Sequence, residues 1–242
     1  MTTTETIEAK DWFGADIDCR RCGSQNARCR PMEACVEDRY AKRIDRFFEW
    51  NPGLANRYLE HPYFEVRAVA AKHVEPEFLL QLMKDRDETV RWSVAVRLPV
   101  EHLAEMRTDP DREVRIRVAA RISVSSLGAM VDDPDYYVRQ IVARRLPPSL
   151  LPLMMSDQDR EVRKIVAKRI GDEWVFKMLS DEDASVRLEA VMRIEAEKLP
   201  LLIDDADWRV RYEVAGRIES KYLKRLLSDP DEVVRSVAKA RL

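Results

Sequence analysis

A Val-Arg pair returns at a fixed step of 24 residues: Val66-Arg67, Val90-Arg91, Val114-Arg115, Val138-Arg139, Val162-Arg163, Val186-Arg187, Val210-Arg211 and Val234-Arg235. Eight such units account for every residue from Asn51 to Leu242. A module of this length cannot bury its own apolar face, so neighbouring modules must stack to form a core. This periodicity rules out an ordinary globule with one thick core.

The unit Pro99 to Ile122 shows how each module is built. Asp109 is placed as a helix N-cap with Pro110 at the first helical position, and Asp111 and Glu113 put acids in the first turn. Val114, Val118, Ala119 and Ile122 then share one helical face. The slot of Ala119 also holds Ala71, Ala95, Ala143, Ala167 and Ala215, interrupted by Val191 and Lys239. A small residue in that column predicts close helix packing, and Lys239 marks an exposed last unit. The other half of each unit has room for about two turns. Leu103 and Met106, like Leu79 and Leu82 or Leu151 and Met154, are three apart, which suits a 3₁₀ segment or a short α-helix. No unit alternates apolar and polar residues as a strand would.

Two arginine columns run through the units. The first is the Arg of each Val-Arg pair; the second holds Arg97, Arg121, Arg145, Arg169, Arg193, Arg217 and Arg241. An Asp four residues before the first Arg in seven of the eight units predicts intrahelical ion pairs. The second column has no obvious local acid and is the candidate track for phosphates. With 42 basic and 44 acidic residues, however, the chain has none of the basic excess common in nucleic-acid-binding proteins. The column of Met106, Met130, Met154 and Met178 reads as core, because Leu82, Leu202 and Leu226 fill the same slot. His61, His73 and His102 make no ligand pattern.

All four cysteines fall between residues 19 and 35: Cys19, Cys22, Cys29 and Cys35, spaced C-x2-C-x6-C-x5-C. Met1 to Asp18 shows no secretion signal and no stretch is long and apolar enough for a membrane helix, so a soluble, cytoplasmic chain with reduced thiols is expected. Clustered thiols there point to metal. Spacing alone leaves an iron–sulfur cluster, zinc and a disulfide open. Arg20, Arg21, Arg28 and Arg30, with a turn at Gly23, Ser24 and Asn26, lean towards an anionic cluster. Val36, Tyr40, Ile44, Phe47 and Phe48 predict a helix ending near Trp50 that docks this domain on the first unit. The expected domains are 1–50, holding the cysteines and the docking helix, and 51–242, holding the repeats.

The cysteine cluster followed by units such as Asp109-Pro110-Asp111-Arg112-Glu113-Val114-Arg115 resembles the leucine-rich repeat variant (LRV) proteins over nearly the whole chain. That resemblance implies an all-α solenoid: eight repeats, each an α-helix plus a short 3₁₀-like helix, in a right-handed superhelix. It also implies an N-terminal 4Fe–4S cluster on Cys19, Cys22, Cys29 and Cys35, and an association with nitrogen fixation.

No phosphate-binding glycine loop, nucleophile–base signature or paired histidine ligand is present in the sequence. The expectation is a non-enzymatic scaffold that binds a protein partner and carries a redox-active or sensing cluster. The alternatives are a nucleic-acid-binding solenoid, or a scaffold with a purely structural metal, cluster or zinc.

Overall fold

The structure is a computed structural model, which describes residues 7–20 and 26–242. Among them there is no β-strand, only two isolated antiparallel bridges, Lys10–Asp16 and Arg30–Ala34. The chain forms two compact units, residues 1–123 and 124–242.

The first unit contains helix α1, Ala41–Trp50, and the long helices of the first three repeats: α2, Phe64–His73; α3, Glu88–Arg97; and α4, Arg112–Arg121. Each packs against the next. The second unit continues with α5, Tyr136–Arg145; α6, Arg160–Arg169; α7, Ala184–Val191; α8, Trp208–Arg217; and α9, Glu232–Ala240, again packed in sequence order. Helix α1 starts at Ala41, later than the apolar spacing suggests. Val36 is buried in the preceding loop, and Tyr40 is the N-cap residue.

An Asp starts seven of the eight repeat helices, but it is not the one expected. The N-cap of α4 is Asp111, which accepts the Val114 N–H, and Asp109 lies before the cap. Asp87, Asp135, Asp159, Asp183, Asp207 and Asp231 cap their helices in the same way. These are the acids that the sequence pairs with arginines four residues later. The oxygen that accepts backbone N–H groups satisfies orphan donors of the first turn. The arginine reaches a different partner. Arg91 Nε and Nη2 donate to Asp109 at 2.7 and 3.0 Å, eighteen residues on, while Nη1 donates to the Asp85 carbonyl at 2.8 Å. Within the two units the bidentate pattern recurs at Arg67–Asp85, Arg139–Asp157, Arg163–Asp181, Arg187–Asp205 and Arg211–Asp229. The planar guanidinium suits this fork, and within each compact unit it ties a repeat to the one that follows.

The second arginine column also joins neighbours. Arg97 donates to the Ala71 carbonyl at 2.8 Å, Arg121 to Ala95 at 2.7 Å, Arg193 to Ala167 at 2.8 Å and Arg241 to Ala215 at 2.7 Å. The acceptors are carbonyls in the last turn of the preceding helix, where intrahelical donors run out. Most members of both columns therefore make inter-repeat bonds, whereas Arg235 in the last repeat bonds the Asp229 and Pro230 carbonyls of its own repeat.

The core follows the predicted columns. Val114, Val118, Ala119, Ile122, Leu127 and their counterparts are buried, except in the last repeat, where Lys239 and Leu242 are exposed. The methionine slot is core as well, with Met106, Met130, Met154 and Met178 all buried. The short segments are 3₁₀ in Pro76–Leu82, Val124–Met130, Pro148–Met154 and Ala196–Leu202. An α-turn, Val100–Leu103 or Asp172–Val175, opens the third and sixth, and Ser220–Leu226 is α throughout. Pro152 and Pro200 inside two of the 3₁₀ segments remove a donor that an α-helix would use.

Candidate metal centre

The cysteine region is held by short-range chemistry rather than by regular structure. Asp11 accepts the N–H groups of Phe13 and Ala15 at 2.9 and 2.8 Å, closing the turn beneath the Lys10–Asp16 bridge. That turn presents Trp12, which stacks on Tyr63 with centroids 5.8 Å apart and meets His61 edge-on at 4.9 Å. Residues 10–16 are thus fastened to the first repeat. Cys19 follows as an exposed residue.

Cys29 and Cys35 flank the bridge in which Arg30 N–H donates to the Ala34 carbonyl at 2.8 Å and Ala34 N–H donates back at 2.9 Å. An antiparallel pair of this kind sets the two outer residues, Cys29 and Cys35, opposite each other. Met32 turns the chain with φ of 69°, in the left-handed region. Cys29 is exposed and Cys35 buried, and the Cys35 N–H donates to the Arg43 carbonyl in α1 at 3.1 Å. Arg46 adds a bond to the Glu33 carbonyl at 3.2 Å.

A buried ion pair fixes the start of α1. Asp38 has no exposed surface and accepts Arg43 Nη1 at 2.8 Å and the Tyr40 N–H at 2.9 Å. Arg43 also donates to the carbonyls of Ile7 and Glu8, which draws the N-terminal segment in. Far along the helix, α1 packs on α2 through its apolar face, and Asp45 meets His73 Nε2 at 2.7 Å.

The sequence missed Arg43, Asp38 and Asn51. Asn51 ends α1 as its C-cap, and its amide bonds the backbone of Arg28 twice. The first two gave no signal beyond ordinary charge. Asn51 stands before Pro52 and Gly53, in a run that reads as an ordinary turn after the helix.

Cys22 lies outside the described residues, as do Arg21, Gly23 and Ser24. Among the described residues no three His, Cys, Asp or Glu side chains form a ready metal-binding group. The donor set nevertheless fits an iron–sulfur cluster by its chemistry: four thiols, with no competing imidazole. His61 Nδ1 accepts the Tyr63 N–H, and burial holds its pKa low, while His73 is engaged by Asp45. The expected basic surround is weaker than the sequence suggests, because Arg20 is paired with Asp18 and Arg30 with Glu33.

Residues 9–57 match the family model described as LRV protein FeS4 cluster. An uncharacterized 27.7 kDa protein in the nifB 3′ region of Rhodobacter capsulatus is 42% identical over 99 residues. That match takes in 39% of this chain and only 40% of the relative's length. A solved structure, described as a leucine-rich repeat variant with a novel repetitive structural motif, is 41% identical with a TM-score of 0.85. The alignment covers 93% of this chain and 99% of that one.

Proposed function

The chain belongs to the leucine-rich repeat variant family and carries an iron–sulfur cluster domain at its N-terminal end, and from that premise we propose that it is a non-enzymatic scaffold whose repeats bind a protein partner and whose Cys19, Cys22, Cys29 and Cys35 hold a redox-active or sensing 4Fe–4S cluster. Such a cluster supplies one-electron chemistry at a potential set by its hydrogen bonds and solvent exposure. The protein supplies the ligands, the backbone N–H groups around them and a rigid mount. One observation carries the reading: an exposed thiol, Cys29, stands across a short bridge from a buried one, Cys35, which is bonded to α1. The arrangement anchors one side of the site and leaves the other open to a partner or to oxygen.

No helix among the described residues is long and apolar enough to cross a membrane. The proposed setting is the cytoplasm, where thiols stay reduced. The position of the Rhodobacter capsulatus relative beside nifB supports a link to nitrogen fixation. The nucleic-acid alternative finds no support in the arginine columns, most of whose guanidiniums bond neighbouring repeats.

Anaerobic purification with iron, sulfide and zinc analysis tests the centre. About four iron and four sulfide per chain are expected, with a brown chromophore that bleaches on reduction. Colourless, zinc-loaded protein from an oxygen-free preparation rejects the cluster. A chromophore that resists reduction leaves the metal a structural role. For the scaffold role, a pull-down from native extract in both redox states is expected to recover the same specific partner repeatedly; recovery of none in either state rejects it.

A further inference from the structure

Every polar group of Asn51 is used, and the partners lie in three different segments. Its N–H donates to the Phe48 carbonyl at 3.2 Å, and its own carbonyl accepts the Leu54 N–H of the first repeat at 3.1 Å. Side-chain Nδ2 donates to the Phe47 carbonyl at 2.7 Å, satisfying a carbonyl at the end of α1. The same Nδ2 donates to the Arg28 carbonyl at 2.8 Å, while Oδ1 accepts the Arg28 N–H at 2.8 Å. The amide pairs with Arg28 as a second backbone would, and Arg28 immediately precedes Cys29. Asn51 is buried, so water cannot replace these bonds.

The other ties of the cysteine loop end on the same helix. Cys35 N–H bonds the Arg43 carbonyl, and the Arg46 guanidinium bonds the Glu33 carbonyl. The same helix buries Ile44, Phe47 and Phe48 and packs on α2, with Phe48 against His73. Among the described residues the loop is tied to the first repeat mainly through α1, with the Trp12 contact and the Tyr63 hydroxyl, which donates to the Arg39 carbonyl at 3.3 Å, beside it.

We propose that Asn51 and α1 couple the metal site to the first repeat: an occupied cysteine loop stabilises α2, and a loosened α2 weakens the hold on the metal. Asn51 is a positioning residue that acts through the Arg28 backbone. The coupling rests on the cluster reading above, and by linkage it works equally in both directions. It gives the scaffold a way to register cluster loss, since the first repeat becomes softer when the loop empties.

The test uses anaerobically loaded full-length chain and measures the rate of iron release to a chelator, followed by loss of the visible chromophore. Four proteins are compared: wild type, Asn51→Ala, Val66→Ala in α2 and Val162→Ala in α6. Both valines are fully buried in equivalent slots, so the last is a matched control in the second compact unit. Asn51→Ala is expected to release iron roughly tenfold faster or more, given three side-chain hydrogen bonds lost. Val66→Ala is expected to release it faster than wild type, and Val162→Ala at the wild-type rate. Wild-type kinetics in Asn51→Ala, or equal rates for the two valine variants, overturn the coupling while leaving the cluster standing. Wild-type protein that takes up no iron and sulfide overturns the cluster reading and the coupling with it.

Discussion

Asp109 and Asp111 stand two residues apart and do unrelated jobs. Asp111 takes the Val114 N–H as an exchangeable helix cap, whereas Asp109 is buried, receives two guanidinium bonds from Arg91 and accepts the Asp111 N–H. Replacing a cap with alanine costs about 1 kcal/mol. Removing one partner of a buried ion pair leaves the other charge uncompensated and costs about 3–5 kcal/mol. Thermal or urea unfolding of Asp111→Ala and Asp109→Ala is therefore expected to show the larger loss at 109. The opposite order would return the cap to Asp109 and remove the inter-repeat fork from the account of stability. The sequence could not separate the two residues because both fit an Asp-before-helix pattern, and the fork joins residues eighteen apart. Residues within one helical turn of each other carry no trace of it.

At the scale of the element, the alanine column decides how closely adjacent long helices approach. Ala95 has no exposed surface, and its carbonyl takes the Arg121 guanidinium from the following helix. A leucine there adds three carbons where neither the packing nor the arginine can move aside. Ala95→Leu is expected to cost about 1–3 kcal/mol, whereas Ala120→Leu on the exposed face of α4 should stay within about 0.5 kcal/mol. Equal melting points for the two would show that the column tolerates larger residues. The long helices were legible because Val and Ala recur at helical spacing. The short segments were legible only as short. Leu and Met three apart fit both helix types, and the choice turns on details such as Pro152 and Pro200 within the segment.

For the molecule as a whole, periodicity announces the repeat architecture and composition announces the thiols, but neither reveals how one is fastened to the other. Asn51 looks like a turn residue, and Arg43 and Asp38 look like surface charge; only the fold shows them joining segments distant in sequence. The repeats also make stability depend on ionised aspartates. Arg209 donates to Asp207 and holds its carboxyl at about 2, below the ordinary 3.8. Hydrogen bonds from Arg211 and from Ser185 lower Asp229 and Asp183 in the same direction. Lowered values mean that the unfolded chain binds protons more tightly, so this stabilisation is complete above about pH 4 and fades as pH falls towards 2. Glu65 runs the other way: burial raises its carboxyl, so its contribution favours acid and is lost as pH rises past the ordinary 4.5. Asp207→Asn separates the terms, because asparagine still serves as an N-cap but carries no charge. At pH 7 the variant is expected to melt below wild type, and the gap should close between about pH 4 and pH 2 as Asp207 itself becomes neutral. A gap that stays constant across that range would mean that the carboxylate acts only as a hydrogen-bond acceptor, with its charge contributing nothing to the fold.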